Sequence, residues 1–268
     1  MHVEVVGRGP PLVLLHGWAM HGGIFAPLAD RLSRDFELHL VDLPGHGHGV
    51  ASGMPLALED VVAGLLPKVP RATWIGWSLG GLFALHAAAT RAQALHGLVM
   101  LCATPRFVRG EHDGPATWPY GVSAEIFRDF ADGLRADYRG TLERFIALEA
   151  FGSDDARGEL RAMRNGLFAR GEPAAGVLAD GLGLLETTDL RRCLPGLTVP
   201  SLWLSGRRDR LVDPRAVSAA VASTPDARHL CIERAGHAPF LTHADLVAEQ
   251  VAAFATGTGA LPARVASA

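Results

Sequence analysis

Cysteine is scarce in this chain, whose 268 residues include only Cys102, Cys193 and Cys231. An odd number of cysteines at wide spacing fits neither a disulfide framework nor a zinc site. Some of them fall in or beside apolar segments, where a cysteine packs as a small hydrophobic residue. We therefore expect free thiols in a reducing compartment and no metal or other cofactor.

An excess of positive charge is also lacking. The formal net charge is −3, and the 25 basic residues include a single lysine, Lys68. This balance argues against a general nucleic-acid-binding protein. We give the strong preference for arginine over lysine no functional weight.

Long apolar stretches are missing as well. The first residues, MHVEVVGRGPP, show no basic region followed by the apolar core of a secretory signal. No apolar run approaches the roughly 20 residues that a membrane-spanning helix needs. We expect a cytoplasmic protein that acts away from membranes, and we expect a monomer.

The pattern that is present is an alternation of buried strands and amphipathic helices. Such alternation is typical of an α/β protein with a mostly parallel sheet covered on both faces. We predict strands over 11–16, 36–43, 72–77, 95–103, 200–206 and 228–235. We predict helices over 24–34, 56–66, 79–90, 215–222 and 240–254.

The middle of the chain has a different texture, because it loses the buried strand pattern and becomes helical. We therefore divide the chain into a core formed by 1–106 and 190–256 and a helical cap inserted over 107–189. The last residues, 257–268, are small and polar and contain proline and glycine, so we expect a disordered tail.

The motif GWSLGG, at positions 76–81, lies where a predicted strand meets a predicted helix. It contains G-x-S-x-G, in which a serine on a sharp strand-to-helix turn presents its hydroxyl as a nucleophile. The alternative is a tight turn with a capping serine, but the strand and helix on either side favour the catalytic interpretation. We therefore predict that Ser78 is a nucleophile.

A serine nucleophile needs a base and an orienting acid, which in this class of fold follow in the order Ser, Asp, His. Asp209 follows the predicted strand 200–206, and His237 follows the next one. Asp213 and His243 are the alternatives. Pro214 beside Asp213 indicates a helix cap or a turn, and His243 falls within the last predicted helix, so we favour Asp209 and His237.

An oxyanion hole would complete an acyl-transfer site. The backbone amide of Leu79, which follows the nucleophile, is one expected donor, and that of Trp18, in the loop LLHGW, is the other. We interpret His16 as a residue that holds this loop. His46 and His48 form an H-x-H pair that is compatible with a metal, but no further ligand is nearby, so we favour a role in the loop.

The motifs LLHGW, DLPGHG, GWSLGG and GHAPF together resemble those of the α/β-hydrolase fold. The tryptophans in HGW and GWSLGG, together with TLERFIALE in the cap, are similar to the pimeloyl-[acyl-carrier protein] methyl ester esterase family of biotin synthesis. The resemblance covers about 11–254. It implies a serine carboxylesterase that releases methanol from an ester carried by an acyl-carrier protein.

The resemblance also implies roles in the cap. The segment FIALE would contact the acyl chain; its residues are Phe145, Ile146, Ala147, Leu148 and Glu149. Arginines would dock the acidic carrier protein; the candidates are Arg139, Arg144, Arg157 and Arg161. One family arginine falls on Gly140, with Arg139 beside it, so the docking surface is expected to differ in detail.

The residues themselves leave the cap open to a second interpretation. Arg157, Arg161 and Arg164 share one helical face, which suits a partner that bears phosphate or acidic groups. Yet the segment 107–189 contains nine arginines against fifteen aspartates and glutamates. A solvated face with internal ion pairs is the alternative. The aromatic residues of the cap fit an acyl channel or plain packing against the core; they are Phe127, Phe130, Tyr138 and Phe145.

Other functions remain compatible with the same residues. These are a general carboxylesterase or lipase, a carbon–carbon bond hydrolase with the same triad, and a binding protein or receptor built on the hydrolase fold. A complete set of nucleophile, acid, base and oxyanion loop argues against a pure binding protein. A haloalkane dehalogenase is excluded, since it would need an aspartate at position 78.

Overall fold

A seven-stranded sheet forms the centre of the molecule. The computed structural model describes residues 1–110 and 117–257. Its strands are β1 His2–Gly7, β2 Pro11–Leu15, β3 Glu37–Asp42, β4 Ala72–Trp77, β5 Leu95–Leu101, β6 Ser201–Gly206 and β7 Ala227–Ile232. Their order across the sheet is β1-β3-β2-β4-β5-β6-β7, and every neighbouring pair is parallel except β1 with β3.

The central strands are continuous apolar runs because helices cover both faces of the sheet. All six residues of β4 and of β6 are buried, as expected for parallel strands inside an α/β domain. The helices of the core are α1 Ala26–Leu32, α2 Leu58–Leu65 and α3 Leu79–Thr90 and, after the cap, α8 Pro214–Ala222, α9 Pro239–Thr242 and α10 Ala244–Thr256. The predicted α/β-hydrolase architecture is confirmed.

Among the described residues between β5 and β6, four α-helices lie within the segment 107–189. They are α4 Ala124–Ala136, α5 Tyr138–Ala150, α6 Ala156–Leu167 and α7 Ala175–Thr187, and we refer to this segment as the cap. Helix α5 buries a stripe at i, i+1, i+4, i+5, i+8 and i+9, from Thr141 to Ala150, as a helix packed on one face does. The proposed boundaries between core and cap remain a prediction.

Side chains and backbone groups fasten the cap to the core. The guanidinium of Arg170 lies 3.3 Å from both carboxylate oxygens of the buried Asp42 and also pairs with Glu4. The indole Nε1 of Trp18 donates to the carbonyl of Leu178 over 2.8 Å. These contacts join the cap to β1, to the end of β3 and to the loop after β2.

Two features of the fold differ from the sequence predictions. Strand β1, a half-exposed antiparallel edge strand, was not predicted. The single predicted helix over 240–254 is two helices, because the backbone breaks at His243. The predicted disordered tail lies outside the described residues apart from Gly257. Within the part of the chain that the structure describes, no helix combines the length and apolarity that a bilayer crossing demands.

Candidate active site

Ser78 occupies the sharp turn between β4 and α3. Its backbone has φ 53° and ψ −120°, a left-handed conformation that is rare for any residue with a side chain. Such strain persists only where the surrounding structure holds it in place, and it is concentrated at functional sites. The turn therefore has the geometry that G-x-S-x-G predicts, at the carboxyl edge of the sheet.

The glycines on either side of Ser78 are required by close backbone approach. A Cβ at Gly76 would overlap the backbone of Gly80 and Gly81, and a Cβ at Gly80 would overlap the carbonyl of Leu15. The turn is thus pressed against itself and against the end of β2. A side chain at either position would push the nucleophile out of place.

His237 links Ser78 to Asp209. Its Nδ1 lies 2.8 Å from Asp209 Oδ2, and its Nε2 lies 2.8 Å from Ser78 Oγ. Because the carboxylate only accepts hydrogen bonds, Nδ1 carries the proton and Nε2 is free to accept the proton of the serine hydroxyl. The three predicted residues are brought together in the order that acyl transfer requires.

The loop after β6 fixes Asp209. The second carboxylate oxygen, Oδ1, accepts hydrogen bonds from the backbone amides of Leu211 and Val212, each over 2.9 Å. Both carboxylate oxygens thus accept hydrogen bonds from the protein, and the residue is only 6% exposed. Asp209 is suited to orient the imidazole and to stabilise its charged form.

Trp77, the residue before the nucleophile, holds the loop that carries the base. Its indole Nε1 donates to the backbone carbonyl of His237 over 2.9 Å, and the two rings lie 5.7 Å apart. A Cβ at Gly206 would overlap the carbonyl of Gly236, so the end of β6 also touches this loop. The tryptophan in the GWSLGG motif therefore positions the base relative to the nucleophile.

The charge environment of His237 favours its protonated form. Burial alone lowers the pKa of this imidazole, but the charge and hydrogen bond of Asp209 raise it, and Glu149 and Glu159 raise it further when they are ionised. An imidazole with a raised pKa accepts the serine proton more readily, as a general base must. The cap thus contributes to the electrostatics of the base.

The two predicted oxyanion donors lie on either side of the nucleophile. Leu79 begins α3, so its amide is among the first N–H groups of a helix, which have no acceptor within it. The Trp18 amide has no hydrogen-bond partner in the regions that the structure describes. A Cβ at Gly17 would lie 3.2 Å from Ser78 Cβ, which places the Trp18 loop directly against the nucleophile.

The cap segment FIALE covers the site with only part of its residues. The ring of Phe145 lies 4.4 Å from that of Trp18 and 5.2 Å from that of Phe130. Ile146 is buried, Leu148 is half-buried and Ala147 is exposed to solvent. Phe145 thus places an apolar ring over the oxyanion loop.

Two buried carboxyl groups lie close to the base. Glu149 Oε1 is 3.9 Å from His237 Nε2, and neither oxygen of Glu149 has a hydrogen-bond partner among the described residues. Glu159 Oε1 accepts from Ser153 Oγ over 2.7 Å and from Thr242 Oγ1 over 2.9 Å. Sequence reasoning named Glu149 only by resemblance and missed Glu159, because no local pattern signals a carboxyl buried by tertiary packing.

The alternative acid and base have structural roles. Asp213 caps α8 by accepting from the amide of Arg215 over 2.8 Å. His243 is half-buried between α9 and α10, with Nδ1 3.0 Å from Thr242 Oγ1, and is not the solvated residue inside a helix that the sequence indicated. Neither contacts Ser78 or His237 among the contacts described.

The two loop histidines are held by the backbone. His16 Nε2 accepts from the amide of Leu43 over 3.0 Å, and burial together with the neighbouring His46 lowers its pKa well below the usual value. Burial lowers the pKa of His46 to about 4, so both rings are neutral near pH 7. The described residues contain no group of three histidine, cysteine or acidic side chains arranged to hold a metal.

The cap arginines fall into two groups. Arg139 pairs with Glu172, Arg144 donates to Thr141 Oγ1 over 2.7 Å, and Arg164 pairs with Glu143 over 2.7 Å. These three contacts lie within the cap, as the solvated-face interpretation expects. The two other candidates behave differently: Arg157 and Arg161 are exposed and have no ion-pair or hydrogen-bond partner within 1–110 and 117–257.

The reacting atoms are closed off from solvent. Ser78 is 2% exposed and His237 is not exposed at all. A cavity of about 410 Å³ opens beside Asp209 and is lined mainly by polar residues of the loop after β6, but neither Ser78 nor His237 lines it. The cap and the adjoining loops thus restrict access to Ser78.

Comparison with known proteins agrees with this geometry. Residues 12–250 match the model of a family described as alpha/beta hydrolase. The chain is 58% identical over 254 residues to a pimeloyl-[acyl-carrier protein] methyl ester esterase of Xanthomonas campestris pv. campestris (strain B100), covering 95% of this chain and 98% of the relative. A protein of the same name from Stenotrophomonas maltophilia (strain K279a) is 56% identical over 248 residues, which are 92% and 93% of the two chains.

Solved structures share the fold at much lower identity. An esterase (EaEST) from Exiguobacterium antarcticum superposes with a TM-score of 0.82 at 21% identity and covers 95% of each chain. The enol-lactonase from Burkholderia xenovorans LB400 gives a TM-score of 0.80 at 24% identity, with coverage of 95% and 96%. At these identities the likeness supports the fold and carries no argument about the substrate.

Proposed function

The chain belongs to the alpha/beta hydrolase family and, within it, to the pimeloyl-[acyl-carrier protein] methyl ester esterases; from this premise we propose that Ser78, His237 and Asp209 hydrolyse the methyl ester of pimeloyl-[acyl-carrier protein]. The products are methanol and the free carboxylate on the carrier protein. The observation that carries the assignment of residues is the continuous hydrogen-bonded chain from Asp209 through His237 to Ser78.

The first half of the reaction forms an acyl-enzyme. Ser78 Oγ attacks the ester carbonyl while His237 Nε2 takes the hydroxyl proton, and Asp209 stabilises the imidazolium that results. The amides of Trp18 and Leu79 bind the oxyanion of the tetrahedral intermediate, each contributing about 3 kcal/mol by analogy with other oxyanion holes. His237 then gives its proton to the leaving oxygen, and methanol departs.

The second half releases the product. Water attacks the acyl carbonyl and transfers a proton to His237 Nε2, and the bond between the carbonyl carbon and Ser78 Oγ breaks as the serine recovers its proton. The same two amides bind the second oxyanion. One imidazole thus acts twice as a base and twice as an acid.

The cap supplies recognition in this proposal. The apolar cover made by Phe130, Phe145 and Trp18 suits the methylene chain of a pimeloyl group, which offers no hydrogen bonds along its length. Arg157 and Arg161, exposed and unpaired within the described residues, suit an acidic carrier protein. The other two candidates, Arg139 and Arg144, already have partners in the cap and are weaker candidates for docking.

The test compares two substrates on the same protein. Hydrolysis of methyl pimeloyl-carrier protein is followed by mass spectrometry beside hydrolysis of p-nitrophenyl butyrate, with Ser78→Ala as the blank. We expect a strong preference for the carrier-bound methyl ester and loss of both activities in the blank. Activity on the small ester alone would leave a general esterase, and full activity of Ser78→Ala would contradict the assignment of the nucleophile.

A further inference from the structure

Glu149 presents an unusual combination of burial and unmet hydrogen-bonding capacity. Its side chain has no exposed surface, and both carboxyl oxygens lack a partner among the described residues. Burying a polar group without a hydrogen bond is unfavourable, and such groups in native proteins call for a functional explanation. The imidazole Nε2 of His237 lies 3.9 Å from Oε1.

The end of α5 is fastened to the loops that carry the acid and the base. A Cβ at Gly152 would lie 2.6 Å from the carbonyl oxygen of Arg208, and the amide of Asp154 donates to the carbonyl of Arg234 over 3.3 Å. The carboxylate of Asp154 also pairs with the side chains of both arginines. These contacts hold Glu149 beside the catalytic base.

The neighbouring Glu159 shows what a structural carboxyl looks like at this site. It is equally buried, but one of its oxygens accepts hydrogen bonds from the hydroxyls of Ser153 and Thr242. Protein groups therefore satisfy Glu159 in part, whereas Glu149 has no such partner. Glu149 is thus a buried carboxyl beside His237 that has no hydrogen-bond partner among the described residues.

The distance from Glu149 to His237 suits one bridging molecule. A separation of 3.9 Å is too long for a direct hydrogen bond, but one water can bond to both atoms. In the second half-reaction a water must donate to this same Nε2, which now holds the Ser78 hydroxyl at 2.8 Å.

We propose that Glu149 positions the water that hydrolyses the acyl-enzyme, by accepting a hydrogen bond from it while its other proton transfers to His237 Nε2. The water oxygen bonds to the acyl carbon, the imidazole takes the proton, and collapse of the tetrahedral intermediate breaks the bond to Ser78 and returns the proton to Oγ. This inference rests on the proposed function, since it concerns the second half of that reaction.

The protonation state of Glu149 gives the inference a pH signature. Burial raises its pKa to about 8; attraction to His237 lowers the pKa, and repulsion by Asp209 and Glu159 raises it. Near pH 7 the group is a neutral acid that accepts a hydrogen bond without opposing the oxyanion. Above about pH 8 it becomes a carboxylate, which repels the tetrahedral oxyanion and slows the reaction.

The test separates acylation from deacylation. Stopped-flow release of p-nitrophenol from p-nitrophenyl butyrate measures acylation, and the lifetime of the acyl-enzyme is read by intact mass. For Glu149→Leu we expect acylation within about threefold of the unaltered protein and deacylation roughly ten- to a hundredfold slower, the loss expected for one strong hydrogen bond. Glu143→Leu, on the same helix and away from the triad, is the matched control and keeps both rates.

The conservative variant Glu149→Gln supplies the second readout. Its amide still accepts a hydrogen bond from water but does not titrate, so deacylation at pH 7 stays within about threefold and the decline above pH 8 disappears. The inference is overturned if Glu149→Leu slows acylation as much as deacylation, or slows neither. If Glu149→Leu does not fold, a Glu149→Gln profile that still declines above pH 8 overturns it.

The proposed function fails separately from this inference. If Ser78 is not the nucleophile, Ser78→Ala still gives the p-nitrophenol burst and no variant carries an acyl group on that serine. If Ser78 is acylated in every Glu149 variant and deacylates at an unchanged rate, the triad stands and the role of Glu149 is refuted.

Discussion

The core and the cap meet at the triad but shape its surroundings in different ways. In the core, backbone presses against backbone: the turn at Ser78 exists because Gly76 and Gly80 leave no space for a side chain. In the cap, side chains of one helix face approach the triad, with Phe145 over the oxyanion loop and Glu149 beside the base. We infer that the core determines the reaction and that the cap determines its substrate and part of its pH dependence.

The largest effect is expected where the core orients the base. Asp209→Asn keeps the size of the side chain but removes the charge that sets the tautomer of His237, so kcat should fall by about 10⁴-fold. The free energy of unfolding should change by far less than the activation free energy, because the side-chain amide of asparagine still offers a carbonyl oxygen to the backbone amides of Leu211 and Val212. Steady-state kinetics and urea denaturation measure the two effects.

A fall in kcat of less than tenfold for Asp209→Asn would remove this aspartate from the triad. It would also weaken the contrast between core and cap, because the core would then hold a base without a dedicated partner.

The next effect concerns the backbone of the core. Gly80→Ala forces a Cβ into the carbonyl of Leu15, so we expect destabilisation by about 3 kcal/mol or more, or failure to fold. The matched control is Gly183→Ala in α7 of the cap, where no described atom lies within 4 Å of the new Cβ. That change should stabilise the protein by about 0.5–1 kcal/mol, because alanine loses less backbone conformational entropy than glycine when it is fixed in a helix.

Thermal or urea denaturation of the two glycine variants measures the difference. Equal stability changes in Gly80→Ala and Gly183→Ala would contradict the view that core and cap differ in their backbone tolerance.

A smaller effect is expected from the charge that the cap buries. The pKa of Glu149 rises from 4.5 to about 8 on folding, so the folded protein binds a proton that the unfolded chain releases. The free energy of unfolding therefore falls as pH rises from about 4.5 to about 8. Glu149→Gln lacks this dependence and should gain stability relative to the unaltered protein, by a few kcal/mol at pH 8.5.

Urea denaturation at pH 5.5 and pH 8.5 tests the linkage. The stability difference between Glu149→Gln and the unaltered protein should grow with pH, and a difference that stays constant would show that Glu149 does not titrate between these values.

The smallest effect is expected from the exposed arginines of the cap helix α6. Charge reversal of both Arg157 and Arg161 to glutamate should raise KM for methyl pimeloyl-carrier protein roughly tenfold and leave p-nitrophenyl butyrate turnover unchanged. Arg135→Glu is the control, because Arg135 is an exposed cap arginine that already pairs with Asp132 over 2.7 Å. Equal KM changes for the carrier substrate in both proteins would refute a docking role specific to α6.

Some parts of the structure could be predicted from the sequence, and others could not. The elements around Ser78 could be predicted because glycine spacing, a buried strand and an apolar helix are local properties of the chain. Strand β1 could not, because HVEVVG is half-exposed at a sheet edge and lacks the continuous apolar run of a central strand. The break at His243 was hidden by apolar residues that continue through it.

The environment of Glu149 could not be predicted from the neighbouring residues, for a different reason. Its position in FIALE suggests a contact with substrate by resemblance, but its raised pKa depends on Asp209, Glu159 and His237, which are distant in the chain. Likewise, the sequence indicates that three arginines share one helical face. Only the structure shows that Arg164 forms an ion pair with Glu143, whereas Arg157 and Arg161 are exposed.

The closure of the triad has a kinetic consequence. With Ser78 2% exposed and His237 buried, we expect a reagent to reach Ser78 mainly when the cap or an adjoining loop opens. Labelling by a fluorophosphonate should therefore approach a ceiling as the reagent concentration rises, and that ceiling is the opening rate of the protein. A bulky leaving group and a methyl ester would share this ceiling, so opening would limit both alike and the enzyme would distinguish esters by the steps that follow opening.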